Sequence, residues 1–263
     1  MKKSNTKMQM QQIESMSLAF GLKHISKQLP QLISTAEAEG QSCREFLINI
    51  FEAEVTGRNE RRRHRNLTLA HFPPVASGID EFDPDELDSG ITRGQLKQLK
   101  DLSWLDACGN IILAGPPGLG KTMIAIGLGR HAIDEGYTVC FEKIDSFFEI
   151  LKEADFERKA GFRLKNIKKA QLVILDEIGY STITRDQANR FFCFISDAYE
   201  RQSVIFTTNK EIPQWAEMIG DPVLTTAMMD RILHHARCFS LEGESYRLKH
   251  PELFIGGEHG DGE

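Results

Sequence analysis

The sequence predicts an α/β fold built on a parallel five-stranded sheet and preceded by a small all-helical domain. Three observations carry that expectation. From residue 91 onward, short apolar runs alternate with helical patterns, the signature of a doubly wound sheet with right-handed crossovers. A glycine-rich loop follows the first run, and two carboxylates end the third. The first 70 residues, in contrast, read as helical throughout.

In that helical region Leu18, Leu22, Ile25, Leu29 and Leu32 repeat at spacings of four and three, an apolar stripe that Pro30 is placed to interrupt. Ser42-Cys43-Arg44-Glu45 has the form of a capping box and opens a second helix with Phe46, Leu47, Ile50, Phe51 and Val55. A third segment is expected after Gly57, carrying Arg58, Arg61, Arg62, Arg63 and Arg65 and ended by Phe72-Pro73-Pro74. Ser77 to Gly90 holds six acids, a proline and two glycines, so it reads as a linker or covering arm with little core of its own. The expected domains are therefore 1–75, helical; 76–90, an acidic linker; and 91–250, the α/β domain. The polar, glycine-rich tail 251–263 is expected to be disordered. Strands are expected at 110–114, 137–143, 171–176, 203–208 and 237–241.

The loop is Gly115-Pro116-Pro117-Gly118-Leu119-Gly120-Lys121-Thr122, with Met123 opening the helix behind it. Each residue type has a task around a nucleoside triphosphate. Glycines let successive N–H groups turn inward on a phosphate, Lys121 reaches the β and γ oxygens, and the Thr122 hydroxyl suits Mg²⁺. The apolar run 110–114 precedes the loop, so the phosphates meet a helix N-terminus, where unpaired N–H groups favour an anion. Downstream, Leu172-Val173-Ile174-Leu175 is a buried parallel strand ending in Asp176-Glu177. Asp176 is the expected Mg²⁺ residue and Glu177 the group that polarises water, which points to ATP hydrolysis rather than to a kinase or a GTPase. The run Ser203–Thr208 ends at Asn209, placed to orient the attacking water.

Composition bounds the rest. The 263 residues are 41% apolar and 27% charged, ordinary for a soluble protein with one good-sized domain and a smaller one. No apolar run approaches the roughly 18–20 residues of a membrane span, and the basic N-terminus lacks the apolar core of a signal peptide. Five scattered cysteines without metal-site spacing read as small buried hydrophobes in a reducing cytosol. The net charge of −6 hides an asymmetry: residues 1–71 carry 11 basic and 7 acidic side chains, the remainder 21 and 31. Two basic clusters are candidate phosphate contacts: the arginines of 58–65, and Arg158, Lys159, Arg163, Lys165, Lys168 and Lys169, a stretch without an acid. Phe162 stands alone among them, so duplex DNA gripped by its backbone is preferred over single strands.

The loop, the Asp-Glu strand end and the Thr207-Thr208-Asn209 strand end, in that order, resemble an AAA+ ATPase. Thr226-Ala227-Met228-Met229-Asp230-Arg231-Ile232-Leu233 resembles the segment that carries the arginine finger in the DnaC/IstB branch, and Ser245-Tyr246-Arg247 that branch's sensor-2 region. The helical basic segment, Phe72-Pro73 and Ile79-Asp80-Glu81-Phe82-Asp83 are similar to IstB proteins, the helper ATPases encoded beside the IstA transposase in insertion sequences. Lys210-Glu211-Ile212-Pro213 departs from the apolar stretch expected there. The resemblance implies ATP and Mg²⁺ as cofactors and a head-to-tail homo-oligomer with ATP at subunit interfaces. Arg231 would then act on a neighbour's γ-phosphate, with Arg247 as the sensor-2 arginine. It also implies a bacterial cytoplasmic, nucleoid-associated protein that oligomerises on duplex DNA and presents it to an IstA-type transposase, hydrolysis dismantling the assembly. The alternative is a DnaC-like replicative helicase loader that binds single-stranded DNA.

Overall fold

The computed structural model describes residues 2–74, 78–179 and 183–249, without the side chains of 2–6 and 247. The tail expected to be disordered, 251–263, lies outside the described residues. Contacts divide the chain into two units, Met1–Arg65 and Asn66–Glu263.

The first unit consists of α1 (Lys2–Ala19), α2 (Lys23–Glu39) and most of α3 (Cys43–Ala70). The break in the leucine stripe comes at Gly21, in a left-handed conformation with φ 73°, and not at Pro30, which sits inside α2. Burial of Ile25 and Leu29 carries the helix through the donor that Pro30 lacks. The capping box forms as written: Ser42 N–H donates to Glu45 Oε2 at 2.7 Å and Glu45 N–H to Ser42 Oγ at 3.3 Å. Gly57 does not start a new segment, since α3 runs unbroken for 28 residues. It marks a close approach instead: a Cβ there would lie 2.2 Å from His24 Nδ1. Buried Glu54 accepts N–H bonds from His24 (2.8 Å) and Ile25 (3.0 Å) at the start of α2, and Arg58 Nε donates to it at 2.7 Å. Burial pushes its carboxyl up, but Arg58 and these N–H groups outweigh that and hold it below its ordinary value.

The second unit begins with the last turn of α3, the acidic arm, α4 (Arg93–Lys100) and α5 (Ser103–Asp106). The sheet follows: β1 (Asn110–Ala114), α6 (Lys121–Asp134), β2 (Val139–Lys143), α7 (Ile144–Glu153), α8 (Arg158–Ile167), β3 (Leu172–Ile178), α9 (Arg185–Ala198) and β4 (Ser203–Thr208). After it come α10 (Trp215–Ile219), α11 (Pro222–His234), β5 (Ala236–Ser240) and α12 (Tyr246–Lys249). The strand order is β2-β3-β4-β1-β5, and every pairing is parallel. Side chains alternate between two cores. Ile111, Leu113, Leu172, Ile174 and Ile205 face one; Ile112, Val173, Leu175, Val204 and Phe206 face the other. Helix α6 packs in the first core, while α7, α9 and α11 pack in the second. The connection from β1 to β2 runs one way across the sheet and the later ones run back, so right-handed crossovers place their helices on opposite faces. The connections that leave the neighbouring strands β1 and β4 therefore run in opposite directions, and the strand ends beside such a switch form a ligand crevice.

The boundary drawn from composition at 76–90 falls inside the second unit. Ala70 and Ile79 are buried in the first core, so the end of α3 and the acidic arm are part of the sheet's packing. The cysteine expectation is corrected: Cys43, Cys193 and Cys238 are exposed and Cys140 alone is buried. Among the described residues no helix is long and apolar enough to cross a membrane.

Candidate nucleotide site

The glycine-rich loop links the end of β1 to α6, and its conformation is set by its neighbours. Gly118 has φ 87°, and a Cβ on it would stand 2.1 Å from Ser245 Oγ. Its carbonyl accepts the Tyr246 N–H at 3.0 Å, so the chain after β5 lies directly on the loop. On the loop's other flank the Phe82 ring packs at Gly120. Leu119 is buried in the first core, while Pro116 and Pro117 are exposed at the crest. Gly115 N–H donates to Thr208 O at 3.2 Å, tying the loop to the end of β4. Lys121 and Thr122 form the first turn of α6 with Met123 behind them. Lys121 Nζ donates to the carbonyls of Gly115 and Pro116, each at 2.7 Å, which folds it back over the loop.

The two carboxylates separate in environment. Asp176 is buried and accepts hydrogen bonds from Thr122 Oγ1, at 2.8 Å, and from Thr207 Oγ1. Burial raises its carboxyl above its ordinary value, and the two hydroxyls offset part of that rise. Glu177 points to solvent. The β3–β4 register breaks between Leu175 and Ile178, and Glu177 adopts φ 65°, a left-handed conformation that a side chain rarely takes. Two threonines of β4 hold this irregularity: Glu177 N–H donates to Thr207 Oγ1 at 2.9 Å, and Thr208 Oγ1 donates to Ile178 O at 2.8 Å. Lys143, at the end of β2, forms an ion pair with Glu177 at 2.8 Å, and this hydrogen bond raises the lysine above its ordinary value. Lys143 is marked by no sequence motif, and Thr207, though part of the Thr207-Thr208-Asn209 strand end, has no role of its own in that motif; strand pairing brings both to Asp176 and Glu177. Beside them, the Asn209 side-chain oxygen is buried with no hydrogen-bond partner.

This arrangement fits a triphosphate with Mg²⁺. The loop crest precedes a helix N-terminus, the Thr122 and Asp176 oxygens are the hard donors that Mg²⁺ takes, and the orphaned Asn209 oxygen can accept a hydrogen bond from a water.

A family model described as IstB-like ATP binding protein matches residues 16–253. The chain belongs to that family. Among IstB-like relatives, a protein of insertion sequence IS21 from Pseudomonas aeruginosa, named for ATP binding, is 37% identical over 240 residues, covering 91% of this chain and 90% of the relative. One of insertion sequence IS5376 from Geobacillus stearothermophilus, likewise named, is 37% identical over 218 residues, covering 83% and 86%. Among solved structures, DnaI aligns with a TM-score of 0.54 at 18% identity over 67% of this chain and 95% of its own. The replication initiator DnaA, bound to AMPPCP and single-stranded DNA, aligns with a TM-score of 0.54 at 17% identity over 70% of this chain and 56% of its own. The IstB-like chain therefore has the AAA+ P-loop fold.

The remaining expected residues lie elsewhere on this IstB-like fold. Arg231, on α11, donates to Ala227 O at 2.7 Å and stacks over the Phe192 ring at 5.1 Å. The next residue's carbonyl, Ile232 O, accepts from Asn110 Nδ2 at 3.0 Å, which places this part of α11 at the start of β1. The phosphate loop leaves β1 at its other end. Arg231 is thus a strand's length from the loop of its own chain, about 15 Å at the usual rise per residue. Arg247 lies in α12, its side chain outside the described residues. Arg61, Arg62, Arg63 and Arg65 are exposed along α3, as are Arg158, Lys159 and Lys165 on α8.

Arg163 is a correction. It is 8% exposed, forms an ion pair with Glu142, and donates to Leu69 O (2.6 Å), Phe141 O (2.9 Å) and Ala70 O (3.4 Å). Its guanidinium pins α8 and the end of α3 to β2, and no phosphate reaches it.

Proposed function

We propose that this IstB-family protein hydrolyses ATP and, in its ATP-bound form, assembles head to tail on duplex DNA in the bacterial cytoplasm. The assembly presents that DNA to the transposase encoded beside it, and hydrolysis releases it. The observation that carries the chemistry is the split between the two carboxylates. Asp176 is buried against Thr122, while the irregularity in β3 turns Glu177 out beside it.

Bound with Mg²⁺, ATP would supply an electrophilic γ-phosphorus, the negative charge on its oxygens partly neutralised by the ion. The chain's residues do the rest. Lys121 turns from the Gly115 and Pro116 carbonyls to hold the β and γ oxygens. Thr122 and Asp176 hold the ion. Asn209 orients the attacking water, and Glu177, released from Lys143, accepts its proton. Arg231 lies too far from its own loop to serve it, which supports action on a neighbour's ATP; Arg247 keeps the sensor-2 role that the family resemblance implies. An arginine finger is typically worth about 10³–10⁵ in rate.

Duplex binding rests on charge. The exposed arginines of α3 and the cations of α8 are two basic surfaces on a chain of net charge −6. Binding of duplex and of single strands, each with and without ATP, tests this reading. Duplex preferred in the presence of ATP supports it, and ATP-independent preference for single strands points to a helicase loader. Replacing Arg61, Arg62 and Arg63 with Ala should flatten the slope of log K against log salt by up to about three units.

A further inference from the structure

Helix α8 carries an aromatic ring inside a cationic stripe. Ala160, Arg163 and Ile167 form its buried side. On the exposed side Arg158, Phe162 and Lys165 follow one another at spacings of four and three, with Lys159 beside them and Lys169 one turn beyond. Phe162 is 64% exposed. Phe156, in the turn that leads into α8, is 89% exposed, the highest value for a large apolar side chain among the described residues. The same unit buries Phe147, Phe148, Phe191 and Phe194 completely or nearly so, in contrast to these two rings. Their platform is rigid, because the buried Arg163 ties α8 to the β2 backbone at Phe141 O.

A cation binds phosphate wherever it meets one, and such contacts do not require a ring. Rings set among cations reach past the backbone to the apolar faces of bases, either between the pairs of a duplex or on an unpaired strand. Resting on the duplex-binding reading above, we propose that Phe156 and Phe162 are wedges that enter base steps of bound duplex DNA, while Arg158, Lys159, Lys165 and Lys169 hold the flanking phosphates. Binding then favours easily unstacked steps without reading base edges, since the cost of opening a step depends on its sequence.

The test uses the full chain with a non-hydrolysable ATP analogue and duplexes carrying 2-aminopurine at successive positions. With the parent protein, fluorescence should rise at discrete positions as a step unstacks. In the double variant Phe156→Ala/Phe162→Ala that rise should vanish and duplex affinity should fall roughly ten-fold or more. The salt slope should stay parental, because no charge is removed. Nucleotide binding and thermal stability should also stay parental, since both rings are exposed. Parental affinity and fluorescence in the double variant would overturn the wedge, as would duplex binding by the parent with no fluorescence rise. A ring-dependent affinity for single strands, with duplex binding unaffected, would overturn it in favour of base stacking on unpaired DNA. Failure of the parent to bind any duplex would overturn the DNA reading itself, and the wedge with it.

Discussion

Replacing Arg163 with alanine should unfold the protein more easily and leave its DNA electrostatics nearly untouched. The guanidinium is buried, pairs with Glu142 and serves three backbone carbonyls, those of Leu69, Ala70 and Phe141. Truncation strands a carboxylate that is only 13% exposed along with those carbonyls. Breaking one side of such a pair costs about 3–5 kcal/mol. For a unit of this size that corresponds to a drop in Tm of about 10 °C. Part of the loss is the orphaned carboxylate, so adding Glu142→Ala should recover some stability, a coupling that a double-mutant cycle measures. Thermal unfolding and duplex titrations across a range of salt are the assays. Lys165→Ala, on the exposed side of the same helix, is the control, with parental Tm and a salt slope lower by about one unit. A parental Tm for Arg163→Ala together with a slope lower by one unit would refute the buried-anchor account and return Arg163 to the DNA surface.

Three further outcomes follow from the site. Thr207→Val removes the hydroxyl that holds Glu177 N–H and Asp176, so kcat should fall about ten-fold or more with nucleotide affinity less affected, and Thr207→Ser should restore it; equal rates in Val and Ser variants would exclude this positioning role. Lys143→Met frees Glu177 from a pair whose members are about half exposed, so turnover without DNA should rise by no more than about five-fold; a ten-fold loss would mean that Lys143 takes part in the reaction. Lys121→Ala and Arg231→Ala should each hydrolyse ATP poorly alone, yet regain part of the rate when mixed, and a co-assembled mixture without recovery would count against Arg231 acting on a neighbour.

What the sequence made legible was whatever depends on local pattern. The apolar runs of β1, β3 and β4 read as buried parallel strands because both faces of the sheet are covered, and the phosphate loop announces itself by spacing. Local breakers misled: Pro30 and Gly57 sit inside helices because Leu29 and the close approach of His24 outweigh local propensity. Arg163 looked like its neighbours because a run of cations does not reveal which one turns inward. Its partners, Leu69 O and Phe141 O, lie 94 and 22 residues away. Lys143 is an ordinary strand residue whose meaning comes only from register, and Thr207 lies in a recognisable strand end while its contacts with Asp176 and Glu177 come only from the pairing. The acidic arm read as a linker for the same reason, since its apolar residues find their places only against distant elements, Ile79 at Gly127 of α6 and Phe82 at Gly120 of the phosphate loop.

The central claim, that this chain hydrolyses ATP with Glu177 as the base, is tested most directly by Glu177→Gln. Nucleotide affinity and ATP turnover should be measured side by side with Mg²⁺ present. Lys121, Thr122 and Asp176 are untouched, so ATP should bind with affinity close to that of the parent. With no carboxylate to accept the water's proton, turnover should fall by about 10² or more, and ATP-bound oligomers should accumulate on duplex DNA. Turnover at the parental rate in this variant would contradict the account.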